Sequence, residues 1–219
     1  MELSLEGKRA LVTGGSRGIG RAVAEGLARR GARVAIAYRT NRRAALETLK
    51  ALPGGPHLEV QGDVTDPSAV RRMVDRVTDE LGGLDIVVNN AGIWVEHRVD
   101  EVDYDGWQDA WRRTLDANLI GPANVCYCAA SWMIDHGGGR IVNVSSRGAF
   151  RGEPEGPAYG ASKAALAVAS RSLRAELREV YGADVDLFTG RHHARFVDPN
   201  VPVHIISRVF QGRYLLRPS

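Results

Sequence analysis

The strongest constraint on this chain is the regular exchange of short Val/Ile/Leu-rich runs with longer stretches of helical period. The runs fall at residues 9–12, 33–37, 58–61, 86–89, 141–144 and 185–188. The first five show no alternation of apolar and polar residues, which predicts strands covered on both faces of a parallel sheet. Helical stretches fill the gaps at 18–30, 42–49, 68–81, a long pair across 103–135, and 158–180. Gly31, Gly82-Gly83, Gly137-Gly138-Gly139 and Gly182 stand where those helices should stop. Repeated strand–helix units require right-handed crossovers, so the expected architecture is a doubly wound, three-layer α/β fold. No linker interrupts the pattern, and residues 1–219 read as one domain.

Composition removes several alternatives. With 44% hydrophobic and 25% charged residues, the chain has the balance of an ordinary folded domain rather than a disordered one. The net charge of +3 is spread thinly, and no Lys/Arg block exceeds two residues, which argues against nucleic-acid binding. No run of apolar residues is long enough for a membrane span. The first six residues carry two glutamates and no apolar core, so no secretory signal is expected. Cys126 and Cys128 read as reduced thiols, and the expected location is cytoplasmic. Asn143-Val144-Ser145 matches a glycosylation acceptor, but it lies in a strand expected to be buried.

The first strand runs into Thr13-Gly14-Gly15-Ser16-Arg17-Gly18-Ile19-Gly20 and then a helix. Glycines let a backbone turn tightly against an anion, and a helix N-terminus offers unpaired N–H groups with partial positive charge. Strand, glycine loop and helix in this order predict a dinucleotide site of Rossmann type. Gly14, Ser16, Arg17, Gly18, Ile19 and Gly20 are its first candidates. At the end of the second strand, where a carboxylate would bind a ribose diol, the chain has Tyr38-Arg39-Thr40. Arg39 and Arg17 instead suit a 2′-phosphate, so NADP(H) is expected over NAD(H). After the third strand the Asp63 carboxylate could accept from the adenine amino group, with Val64 the next cofactor-binding candidate, although Asp63 also fits a helix-entry turn. Asn90, Ala91 and Gly92 end the fourth strand, at the sheet edge where ligands bind.

Tyr159 and Lys163 are four residues apart and so share one helix face. A phenol with an ordinary pKa of about 10 is a poor base at neutrality, but a nearby ammonium favours its ionised form. At ~4 Å and an effective dielectric of about 20, that attraction is on the order of 4 kcal/mol before desolvation. Ser146 closes the fifth strand, and adjacent strand residues face opposite ways, so only one of Ser145 and Ser146 can serve.

Thr13–Gly20, Asn89–Gly92, Asn118, Ser146 and Tyr159-Gly160-Ala161-Ser162-Lys163 together resemble the short-chain dehydrogenase/reductase family over roughly residues 5–182. The likeness is greatest to its 3-oxoacyl-acyl-carrier-protein reductase and its sugar and alcohol dehydrogenase branches. The resemblance implies an oxidoreductase acting on a small-molecule carbonyl or alcohol. Tyr159 would be the proton donor or acceptor. Lys163 would lower the Tyr159 pKa and hold the nicotinamide ribose, and Ser146 would bind the substrate oxygen. Asn118 would help hold a water that links Lys163 to solvent. It also implies a homo-oligomer, dimer or tetramer, built on the long helices.

The chain departs from the family after residue 182. Its last 37 residues contain no Glu and no Lys, and hold three of the six His. Where the family carries a Pro-Gly turn, this chain reads Thr189-Gly190-Arg191-His192-His193. The final strand is therefore expected to be missing or altered, with 203–206 as the nearest candidate. A divergent pocket and a changed reading frame both account for such a tail. A second functional reading follows from it, a nucleotide-binding protein that has lost catalysis and acts as a sensor or partner subunit.

Overall fold

The computed structural model describes residues 4–179 and 185–192. Among the described residues six strands form one sheet: β1 (Arg9–Thr13), β2 (Arg33–Tyr38), β3 (Leu58–Gln61), β4 (Ile86–Asn89), β5 (Gly139–Ser146) and β6 (Val185–His192). Their order is β3-β2-β1-β4-β5-β6 and every pairing is parallel. The chain thus winds outward from β1 to β3, crosses over, and winds the other way from β4 to β6. The crossover leaves a crevice between the carboxyl ends of β1 and β4.

Strand residues alternate between two apolar layers. Ala10, Val12, Val34, Ile36, Val88 and Val142 meet Val23, Ala24 and Leu27 of α1 (Gly18–Ala28). Leu11, Ala35, Val87 and Ile141 meet Val74 and Val77 of α3 (Pro67–Leu81) and Val125 and Met133 of α5 (Gly121–Asp135). The near-continuous hydrophobicity of the strands reflects this double cover. The Asn143 side chain is buried in β5, which removes the glycosylation reading.

Helix starts follow local chemistry. Asn41 caps α2 (Arg42–Ala51) by accepting from Ala44 N, and Asp66 caps α3 ahead of Pro67. Asp103 caps α4 (Tyr104–Leu115) by accepting from Gly106 N at 2.8 Å. A short α6 (Gly148–Arg151) precedes the long α7 (Pro157–Glu179).

The expected pair of helices across 103–135 is instead one continuous helical rod. α4 and α5 are joined by a π-helical turn, Asp116–Ile120, without leaving helical backbone. Pro122 has no N–H to give to the carbonyl four residues back, and Gly121 N bonds to Asp116 O, five residues back. β5 and β6 also run longer than expected, because they pair with each other along their whole length. The candidate strand at 203–206, His193, Gly182 and the helix end at 180 lie outside the described residues.

Candidate active site

The β1–α1 loop carries the first half of the site. Gly14 sits at φ +64° and Gly18 at φ +55°, a left-handed backbone that side chains disfavour. Gly20 serves a different end. A Cβ there would overlap the Gly14 carbonyl oxygen and crowd the Asn90 amide. Asn90 Nδ2 donates to Thr13 O at 3.0 Å and to Gly14 O at 3.2 Å. Thr13 Oγ1 in turn accepts from Asn90 N and Ala91 N, both at 3.1 Å. This cross-brace ties the ends of β1 and β4 together across the crevice. Gly20→Ala is therefore expected to cost about 1–3 kcal/mol by overpacking and to weaken nucleotide binding, read by denaturant melts and fluorescence titration.

A cleft of about 500 Å³ opens above this brace. Gly14, Ser16, Arg17, Gly18, Ile19, Tyr38, Arg39, Asp63, Val64, Asn90, Ala91 and Gly92 all line it. Gly20 does not; it is buried behind the loop. Thr13, Thr40, Asn41, Ile93 and Ala117 also line the cleft and were not among the candidate binding residues. Thr13 had a readable signal, as the hydroxyl that ends β1 just before the glycines.

Several features of the cleft fit a dinucleotide. Arg17 precedes α1 without making a side-chain cap, so the first-turn N–H groups stay available to an anion. Arg17 and Arg39 are exposed, and neither guanidinium makes an ion pair or hydrogen bond among the described residues. Tyr38 is buried, and burial together with the Glu59 carboxylate pushes its phenol above the usual range. Asp63 Oδ1 accepts from Thr65 N at 2.9 Å and Thr65 Oγ1 at 2.8 Å, so that oxygen serves the local turn.

The second half lies where β4, β5, the π turn and α7 meet. Asn118, fully buried in the π turn, accepts from Ile93 N at 2.8 Å and donates to Ile93 O at 2.9 Å. Lys163 is 5% exposed, and its Nζ donates to Val144 O at 2.9 Å. Burial pushes its pKa down to about 8. A Cβ on Gly92 would lie 2.9 Å from Asn118 Oδ1 and 3.7 Å from Lys163 Nζ. Three residues far apart in sequence therefore meet beside the cleft.

Lys163 Nζ is 5.8 Å from the centre of the half-buried Tyr159 ring. Trp94 packs edge-on to that ring with centres 5.0 Å apart. The two serines separate by depth. Ser145 is buried and its hydroxyl donates to Lys163 O at 3.2 Å. Ser146 is half-buried and accepts from Gly148 N at 3.2 Å, which leaves its own O–H to donate.

A parallel sheet in this winding order, with a glycine-lined cleft at its crossover and a Tyr–Lys pair beside it, defines an oxidoreductase of Rossmann type. Residues 8–183 match the family model described as short chain dehydrogenase, and the chain belongs to that family. The match ends where the composition changes. An uncharacterized oxidoreductase of Thermotoga maritima is 37% identical over 190 residues, covering 85% of this chain and 72% of the relative. D-threitol dehydrogenase of Mycolicibacterium smegmatis is 38% identical, covering 80% and 66%. A 3-oxoacyl-[acyl-carrier-protein] reductase of Staphylococcus aureus is 36% identical, covering 78% and 68%. Among solved structures, a short-chain type dehydrogenase/reductase from Mycobacterium marinum superposes with a TM-score of 0.77 at 35% identity, covering 85% of this chain and 74% of that one. The family uses nicotinamide cofactors, NAD(P)(H).

Proposed function

We propose that this chain is an NADP(H)-dependent reductase of a ketone, with a 3-oxoacyl thioester among the candidate substrates, or the corresponding alcohol dehydrogenase. The observation that carries the reading is the meeting of Lys163 with Gly92 and with Tyr159 beside the cleft. When bound, the cofactor supplies or accepts the hydride. The glycine loop with Ser16 and Ile19 would hold its phosphates, Asp63 and Val64 its adenine, and Asn90 to Gly92 its inner half.

The chain's own residues manage the proton and the charge. Tyr159 donates its phenolic proton to the carbonyl oxygen in reduction and takes it back in oxidation. Lys163 is mostly charged below pH 8. Its ammonium lies 5.8 Å from the centre of the Tyr159 ring. Ser146 donates its O–H to the substrate oxygen and stabilises charge developing there. Asn118 holds the loop after β4 through Ile93, and an ordered water beside it would connect Lys163 to solvent.

The guanidiniums of Arg17 and Arg39, which have no partner among the described residues, support NADP(H) over NAD(H). NADPH is expected to bind roughly tenfold or more tightly than NADH, with most of the difference lost in Arg39→Ala. Equal affinities in the unaltered protein would refute this preference. NADPH oxidation against a panel of ketones and β-ketoacyl thioesters tests the activity. Saturable NADPH binding with no turnover across the panel would favour a sensor or partner subunit.

Exposed Ile120, Tyr127 and Val168 on the long helices support a homo-oligomer, dimer or tetramer. Cys126 and Cys128 are free thiols, which supports a reducing, cytoplasmic setting. No helix among the described residues is long and apolar enough to cross a membrane.

A further inference from the structure

Tyr159 stands in the first turn of α7, where the Gly156 carbonyl accepts from Tyr159 N at 2.9 Å but the residue before the helix offers no side-chain cap. Gly156 precedes the helix and carries no side chain. Trp94 covers the place a side chain would take; a Cβ on Gly156 would lie 2.6–3.0 Å from three atoms of the indole. Pro157 has no N–H to satisfy. The next donor, Ala158 N, points to His97 Nε2 at 3.3 Å, across 61 residues of sequence. A helix start normally takes its side-chain acceptor from the residue just before it. Here the acceptor comes from the loop after β4.

His97 is built into that loop. It is 1% exposed, and its backbone N donates to Glu155 O at 2.8 Å. Nδ1 lies 2.8 Å from Val95 O, and Trp107 stands edge-on to the ring with centres 5.3 Å apart. Val95 O can only accept, so Nδ1 must carry the proton. Ala158 N can only donate, so Nε2 must carry the lone pair. One tautomer of the neutral ring satisfies both partners.

We propose that His97 is a positioning residue for Tyr159, capping α7 from outside through its Nδ1–H tautomer. The loop is pinned at both ends, by Asn118 on Ile93 and by His97 on Ala158. Trp94 lies between the two pins, against the Tyr159 ring. Losing the His97 acceptor releases Ala158, and the neighbouring phenol shifts relative to Lys163 and Trp94. The catalytic consequence rests on the reading of Tyr159 as the acid–base; the geometric coupling does not.

Two substitutions divide the ring's duties. His97→Gln keeps an acceptor at the reach of Nε2, whereas His97→Asn keeps a group near Nδ1 and loses that reach. ¹⁵N NMR of the unaltered protein is expected to show a proton on Nδ1 and none on Nε2. The Tyr159 ring signals, identified by their loss in Tyr159→Phe, are expected to move in His97→Asn and return in His97→Gln. On the best substrate of the ketone panel, kcat is expected to fall about 10- to 100-fold in His97→Asn and to stay within about threefold in His97→Gln. The NADPH dissociation constant is expected to stay within about twofold in both, because other residues hold the nucleotide.

A proton on Nε2, unmoved Tyr159 signals in His97→Asn, or equal losses in the two variants would each overturn the proposal. If His97→Asn does not fold, the wild-type tautomer and His97→Gln still decide it. Turnover retained in Tyr159→Phe would remove the acid–base reading alone, since the NMR measurements need no substrate.

Discussion

Tyr159→Phe is expected to lower turnover by about 10²- to 10⁴-fold while the NADPH dissociation constant stays within about twofold. The substitution removes one hydroxyl and keeps the ring. That ring packs edge-on against Trp94 at 5.0 Å, and the edge contact is retained by phenylalanine. The phenol is half-buried, so its loss strands no deeply buried partner. Fold and nucleotide affinity should therefore survive, and the deficit should appear in the step that moves the proton. Single-turnover measurements of NADPH absorbance separate that step from binding. Turnover within about threefold of the unaltered protein would show that another group moves the proton.

Lys163→Met is expected to abolish most turnover and, in the apoprotein, to change the pH dependence of stability. Burial lowers the Lys163 pKa from 10.5 to about 8. Between those values the unfolded chain binds more protons than the folded one, so the stability of the unaltered protein rises with pH across that window. Below pH 8 the amine is charged in both states and the full cost of burying the charge is present. That cost is on the order of 3 kcal/mol and is relieved as pH approaches 10.5. Methionine carries no charge, so the variant lacks this pH-dependent term. It does lose the bond to Val144 O, a cost of about 1 kcal/mol that does not vary with pH. Urea melts should show the variant losing its relative advantage by about 3 kcal/mol from pH 7 to pH 10.5. A gap that does not change with pH would mean that Lys163 is not a buried cation. On the proposed reading, a chain that keeps this lysine gives up stability near neutrality in exchange for an ammonium beside Tyr159.

The parts of the site that lie close together in sequence were the legible ones. Tyr159 and Lys163 share a helix face by spacing alone, and the glycine loop sits between a strand and a helix that both show in the hydrophobic pattern. Ser146 could be placed at a strand end, but its distinction from Ser145 needed depth. Ser145 turns into the core and bonds to Lys163 O, while Ser146 stays within reach of solvent. Asp63 was a candidate for the adenine, and the structure engages one of its oxygens in the turn with Thr65. Asn118 drew notice only through family resemblance, because a single Asn in a helix has no local signature. Its role comes from a π turn that aims its amide at both backbone groups of Ile93.

His97 shows the limit most clearly. Nothing within several residues of it marks it as the cap of a helix 61 positions away. The sequence by itself determined the alternating strands and helices, and with them the winding of the sheet and the glycine loop, because backbone periodicity and turn chemistry act over a few residues. Only the tertiary structure decided which side chains face one another across the crevice. Those pairings depend on strand order, helix phase and burial, which exist only once distant segments have packed.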